Sequence, residues 1–542
     1  MNAFRFPRVL GLGVLLIVVL PVLVTAMPPL LDYPNHVVRF WLLSGGATHP
    51  PVSRFFEVDW GQTATNIGMD VMATVLGVVF PAEITGRIIL ATAAVLPAAG
   101  AVLVSRRLFG RLSYWHILLC LTAWTMVLLT GFMSFQLGLG AALIVLWLDI
   151  ANAGQTRLKT VTRQSCQVLI VVLIHPFGAL FYAVLTAGIA IGDRAAALID
   201  RRQWAGLARR LCWAGVPFII AGAAIGLRVA LFRHDTEPAG FTFPQLVWED
   251  PDWAHMNVDH IFWAFIGPLR SYSLPVDIVF LILLWLPVAL AYFQKALRLH
   301  SGLAIAGLVL FLLSLVCPQG IGSTSMVDVR LWTMAQLLMP VALYPGIDLS
   351  RTPLKAHAAA VLCALALVAV GARSIWLTYV WQQRQADVAS LYRAMDLIPS
   401  GARVLPLKGS VDNEDELPIG RYVGGMTPTF NHLPTLAVMR RGAYVPSVFA
   451  QAGKQPLRVR EPYDDTHEVS GGLLGTVEDM KNEDTSVDAF LDRNWRTRFD
   501  YVLVVDGDRD MKNRTIGDGT CLVTDQGFAR LYRIETPAAV CL

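Results

Sequence analysis

TATNIGMDVMATVLGVVF, residues 63–80, is the stretch on which the topology turns. It is apolar enough to enter a bilayer, but Asn66 and Asp70 interrupt it. The apolar run before it, 9–26, follows Arg5 and Arg8. The run after it, 84–104, is followed by SRRLFGR. Basic clusters of this kind favour the cytoplasmic side. Two crossings already return the chain to that side, so a third within 63–80 breaks the parity. Residues 63–80 are therefore assigned as a juxtamembrane or re-entrant helix, with 28–62 facing outward.

Working outward, the whole chain has 542 residues, of which 55% are hydrophobic and 15% charged. Its mean hydropathy is +0.53. Soluble domains carry roughly 25% charged residues, and apolar runs of about 20 residues are what a helix needs to span a bilayer. Such runs recur at 9–26, 84–104, 113–131, 133–150, 165–176, 177–192, 211–231, 275–293, 301–317, 331–348 and 357–377. The expected fold is thus a polytopic α-helical membrane protein of about eleven transmembrane helices over residues 1–380. A soluble α/β domain follows over 381–542. The first run reads as a retained anchor, because MPPLLDYP is no A-x-A type cleavage site. An odd number of crossings places the C-terminal domain opposite a cytoplasmic N-terminus.

Charge supports the division. Residues 1–380 hold 25 Lys+Arg and 17 Asp+Glu, and residues 381–542 hold 19 and 23. The basic excess sits with the spans, and no basic stripe with interleaved aromatics points to nucleic acid. Cys120, Cys166, Cys212, Cys317 and Cys363 lie in or beside apolar runs and read as small buried hydrophobes. Cys521 and Cys541 lie in the soluble part, where export permits a disulfide. No Cys/His zinc spacing occurs. The soluble part reads as a helix at 382–397, a strand at ARVLPL, a buried strand at FDYVLVV, and a hairpin of CLVTDQG with FARLYRIE.

The outer loop 28–83 opens with LLDYPNHVVRF, residues 30–40. Asp32, Asn35, His36 and Arg39 recur at i, i+3, i+4 and i+7, one face of a helix. Pro34 suits its first turn. Further outer-side polar residues are Asp70, Arg87, and Asp328 with Arg330 where the 331–348 run begins. The loop 232–272 adds Glu249, Asp250, Asp252, His255, Asp259 and His260.

This order of features resembles the C-type (GT-C) membrane glycosyltransferases, the superfamily of protein mannosyltransferases and lipid-A aminoarabinose transferases. LLDYP places an acid near the start of the first outer loop. TATNIGMDVMATVLGVVF matches a juxtamembrane helix, and AEITGRIILATAAVLPAAGAVLVSRRLFG resembles the second span. FDYVLVV and GFARLYRI resemble the end of the outer domain. Many relatives carry an acidic pair, whereas Tyr33 follows Asp32 here. The resemblance implies sugar transfer from a polyprenyl-phosphate donor to a polysaccharide, lipid or protein acceptor. It implies a bacterial cytoplasmic membrane location, with the C-terminal domain periplasmic or extracellular.

In such a reaction a carboxylate removes the acceptor proton, and positive charge steadies the departing phosphate. Asp32 is the candidate base. His36, Arg39, Asp70, Arg87 and Arg330 are candidate substrate-binding residues, and a divalent cation is a second source of positive charge. Each has a structural alternative. Asp32 also reads as an N-cap, His36 as a helix-face hydrogen bonder, Arg39 as an interfacial anchor, and Arg87 as a partner of Glu83. His175, before Pro176, reads as a structural residue at a helix break, and His432 as a hydrogen-bonding residue of the outer domain. A transporter or non-catalytic envelope-assembly protein shares the same architecture.

Overall fold

The computed structural model describes residues 8–110, 114–193, 204–231, 262, 265–293, 297–320, 324–345 and 353–410. It further describes 417–425, 427–451, 453–466, 473–483, 494–510, 512, 514–517 and 519–535. The expected acidic and histidine cluster of loop 232–272 (Glu249 to His260) lies outside the described residues, as does Cys541. The chain divides into two compact units. One comprises residues 1–23, 64–69 and 90–377, and the other 24–63, 70–89 and 378–542.

The first unit is helical. By length and composition, four helical stretches of the chain can cross a membrane: Ala82–Phe109, Met133–Ala151, Trp204–Ala230 and Ala360–Met395. Its core is built by Met133–Ala151, Pro176–Gly192, Ser301–Val316 and Val327–Val341, which bury Leu143, Phe181, Leu185, Leu310, Met334 and Leu338. Small residues let these helices approach. A Cβ at Gly302 would stand 2.7 Å from Ile189 Cα, and one at Gly178 would stand 2.7 Å from the Gly138 carbonyl oxygen. In lipid, where apolar association gives little drive, such close contact is the main source of helix pairing.

Two expected elements take a different form, and a helix break falls at His175 as expected. Residues 113–131 are no continuous span: Tyr114–Leu118, a 3-10 segment Leu119–Ala123 and Met126–Leu129 succeed one another. Thr125 ends the second piece by capping the third, its hydroxyl accepting from Leu128 N at 3.2 Å. The break between 165–176 and 177–192 falls at His175, whose Nδ1 accepts from Phe177 N at 3.1 Å and starts the helix led by Pro176. The helix expected at 331–348 is Val327–Val341, which puts Asp328 and Arg330 in its first turn, both buried.

The second unit contains a four-stranded sheet in the order Val404–Lys408, Tyr501–Val505, Ala529–Ile534, Thr520–Asp525. The first pair is parallel, with Val404 opposite Tyr501, and the other two are antiparallel. Val502 to Val505 are all buried, which is why that strand reads as a continuous apolar run. Helix Gln385–Met395 packs on the Ala529–Ile534 strand. Cys521, on the edge strand, is disulfide-bonded.

The N-terminal part of this unit is joined to its C-terminal part by main-chain pairing. Phe56–Val58 forms an antiparallel ladder with Leu457–Val459. Gln62 Nε2 donates to the carbonyls of Gln455 at 2.7 Å and Leu457 at 2.5 Å. Helix Tyr33–Leu43 packs against the turn Leu433–Thr435 and helix Leu436–Arg441. Helix Gly68–Gly77, the core of the stretch 63–80, has ten residues. At about 1.5 Å per residue it is roughly half the thickness of a bilayer core.

Candidate active site

Asp32 precedes helix Tyr33–Leu43, with φ −87° and ψ −9°. It stands at the N-cap position but its side chain makes no capping hydrogen bond. Pro34 explains part of this. It occupies the first turn and has no N–H to offer, so capping there gains less. The Asp32 carboxylate, 11% exposed, instead faces His432, with Oδ1 3.5 Å from the imidazole Nε2.

His432 is held from its other side. Asn35 Nδ2 lies 3.3 Å from His432 Nδ1. The orientation of the Asn35 amide is set by the backbone: Nδ2 donates to the Ser447 carbonyl at 2.7 Å, and Oδ1 accepts from Phe449 N at 2.9 Å. Asn431 orients likewise, its Oδ1 accepting from Leu474 N at 2.7 Å, with Nδ2 3.5 Å from His432 Nε2. These amides present N–H groups to both ring nitrogens, and a neutral ring has a single lone pair to accept with. The shorter contact, from Asn35, makes Nδ1 the acceptor and leaves the proton on Nε2, toward Asp32. Burial pushes the His432 pKa down to about 3, so the ring is neutral. The 3.5 Å approach to Asp32 is thus a neutral imidazole facing a carboxylate.

The other expected residues divide into four groups. His36 packs its ring against Phe40, 6.2 Å between centroids, and Phe449, 5.5 Å. Arg39 and Asp70, expected singly at substrate, are joined to each other: Arg39 Nε donates to Asp70 Oδ1 at 2.8 Å, with side chains 3% and 1% exposed. Their helices are adjacent for a steric reason, since Gly77 lies directly against the Ser44 side chain. Arg87 is half-buried. It acts on Tyr33, whose phenol burial holds above its ordinary pKa while Arg87 draws it down. Among the described residues no ion pair joins Arg87 to Glu83. Arg330 belongs to the first unit. Its guanidinium lies over the rings of Phe132 at 4.1 Å, Phe177 at 5.4 Å and Phe135 at 5.6 Å, a cation–π setting. Among the described residues no group of three or more His, Cys, Asp or Glu could hold a metal ion.

Several participants carry no sequence signal. Ser447 and Phe449 act through backbone groups, and nothing local marks Asn431. Two buried charge clusters were equally unmarked. In the first unit, Arg373 donates to the carbonyls of Trp124 at 2.8 Å and Leu269 at 3.0 Å and lies 3.7 Å from Asp277. In the second, Arg421 hydrogen-bonds Asp387, Asp506 and Asp508 at 2.6–3.0 Å.

No protein-family model and no curated protein sequence matches the chain. Among solved structures it is similar to ArnT from Cupriavidus metallidurans, crystallised in the apo state. The identity is 12%, the alignment covers 97% of this chain and 96% of that one, and the TM-score is 0.46. A superposition this loose locates no side chain.

Proposed function

We propose that this chain is an integral membrane glycosyltransferase. It moves a sugar from a polyprenyl-phosphate-linked donor to an envelope acceptor on the outer side of the bacterial cytoplasmic membrane, with Asp32 as general base. The observation that carries the reading is the state of Asp32. It sits at a helix start without capping the helix, and its largely buried carboxylate faces a neutral histidine. The apolar helices supply the membrane setting.

The proposed step is a displacement at the anomeric carbon. The acceptor hydroxyl oxygen bonds to that carbon as its proton passes to Asp32. The bond from the anomeric carbon to the phosphate oxygen breaks, and its electron pair leaves with the polyprenyl phosphate. A base positioned within hydrogen-bond reach contributes about 10²–10⁴ to such a rate. In the unit that holds Asp32, the candidate cation for the phosphate is Arg87, because Arg39 is committed to Asp70.

The test is the Asp32→Asn variant of the full chain in membranes, offered a panel of polyprenyl-phosphate pentoses and hexoses. Transfer falling at least about 100-fold, with expression and thermal stability intact, is expected. Undiminished transfer by that variant removes Asp32 from the mechanism.

A further inference from the structure

Asn35, His432 and Asp32 form a line of buried polar groups in the second unit. Asn35 is fully buried, and His432 is 1% exposed. The ring is also packed edge-on against Phe449, with centroids 4.9 Å apart. The groups that face it are therefore the Asp32 carboxylate, the Asn35 and Asn431 amides and the Phe449 ring. Most side-chain hydrogen bonds end on backbone or water. This imidazole stands between a backbone-anchored amide and a carboxylate that makes no cap.

We propose that His432 is a positioning residue for Asp32: clamped through Nδ1 by Asn35, its imidazole presents the Nε2–H to the Asp32 carboxylate. The inference rests on the reading of Asp32 as general base and adds the group that orients it. The donor holds the carboxylate oxygen it faces, Oδ1. It also keeps the carboxylate ionised, because a hydrogen bond to the charged form lowers a carboxyl pKa. The separation of 3.5 Å is long for such a bond, as is common before substrate closes a site. Asn35 sets the tautomer. Its amide cannot rotate without losing the bonds to Ser447 and Phe449, so Nδ1 stays an acceptor and the proton stays on Nε2.

The experiment titrates the Asp32 carboxyl itself, by infrared difference spectra of the purified full chain against its Asp32→Asn variant, and so needs no sugar. His432→Leu removes the donor and keeps the volume. His432→Gln places an amide N–H near the Nε2 position. His432→Asn places it near Nδ1, toward Asn35. The expected result is an Asp32 titration moved up by about one pH unit in His432→Leu and His432→Asn, and close to the parent in His432→Gln. In transfer assays the first two lose kcat roughly tenfold at unchanged donor KM, and His432→Gln recovers most of it. An unmoved titration in His432→Leu overturns the proposal, as does a His432→Gln variant that behaves like His432→Leu. If His432→Leu does not fold, the contrast between the Gln and Asn variants decides the matter alone. Failure of the underlying reading shows differently: Asp32→Asn then transfers sugar normally, whatever the titrations show.

Discussion

Asp70→Asn tests whether Arg39 is a strut or a substrate ligand. Arg39 Nε and Asp70 Oδ1 are 2.8 Å apart, and the side chains are 3% and 1% exposed. At that distance and an effective dielectric of about 20, the gross attraction is on the order of 6 kcal/mol. Removing two ions from water offsets much or all of it, so the pair adds little net stability over an apolar pair. The asymmetry lies in removing one partner. Arg39 Nη1 and Asp70 Oδ2 are buried and make no hydrogen bond among the described residues, so neither ion has a second partner to fall back on. Each single variant, Asp70→Asn or Arg39→Met, is expected to lose about 3–5 kcal/mol. The double variant Arg39→Met with Asp70→Leu should recover to within about 1–2 kcal/mol of the parent, because no buried charge is left. At roughly 2–4 °C per kcal/mol for a unit of some 200 residues, each single variant should melt at least about 6 °C lower. The assay is thermal unfolding of the purified full chain in detergent, run as a double-mutant cycle. Single variants that melt with the parent while sugar transfer collapses would refute the strut and return Arg39 to the substrate.

Further outcomes are expected. Arg421→Lys should destabilise the second unit by about 3 kcal/mol, because an ammonium cannot reproduce the paired hydrogen bonds to Asp387 and Asp508. Asp508→Asn, at a side chain 38% exposed, should lose no more than about 1 kcal/mol by the same melts. Gly302→Leu should disrupt the packing of Ser301–Val316 on Pro176–Gly192, costing about 1–3 kcal/mol or more, while Gly371→Leu, with nothing within 4 Å of its added Cβ, melts like the parent. Stability should also depend on His432. Its native pKa is lowered to about 3 against an ordinary 6.5, so below 6.5 the unfolded chain takes up a proton that the native chain refuses. Its contribution is complete above pH 6.5 and declines by about 1.4 kcal/mol per pH unit on acidification toward pH 3. Chemical unfolding of His432→Leu at pH 7 and pH 5 should lack that slope; equal slopes in parent and variant would show that the native ring takes up its proton as readily as the unfolded one.

Much of this protein is written in local pattern. Apolar length, basic flanks and the Asn66 and Asp70 interruptions point to a helical membrane chain and to a juxtamembrane or re-entrant helix at 63–80; the structure has a ten-residue helix there. Tyr501–Val505 and the Thr520–Asp525/Ala529–Ile534 hairpin fall where β-branched and aromatic runs place them. The helical face of Asp32, Asn35, His36 and Arg39 is equally legible, because residues four apart on a helix are neighbours whatever the tertiary fold. Broken helices were harder. Residues 113–131 have the composition of a span, and only packing and the Thr125 cap divide them.

What those side chains do was decided elsewhere. Sequence spacing presents Asp32 as a cap or a base with equal warrant, and it presents Arg39 and Asp70 as separate polar residues. Tertiary structure pairs Arg39 with Asp70, 31 positions on, and brings His432 to Asn35 across 397 positions. It leaves Asp32 uncapped and turned toward that histidine. The reason is physical. Periodicity, charge bias and turn chemistry act within one or two turns of chain, whereas a buried polar group takes whichever partner the fold brings within about 3 Å.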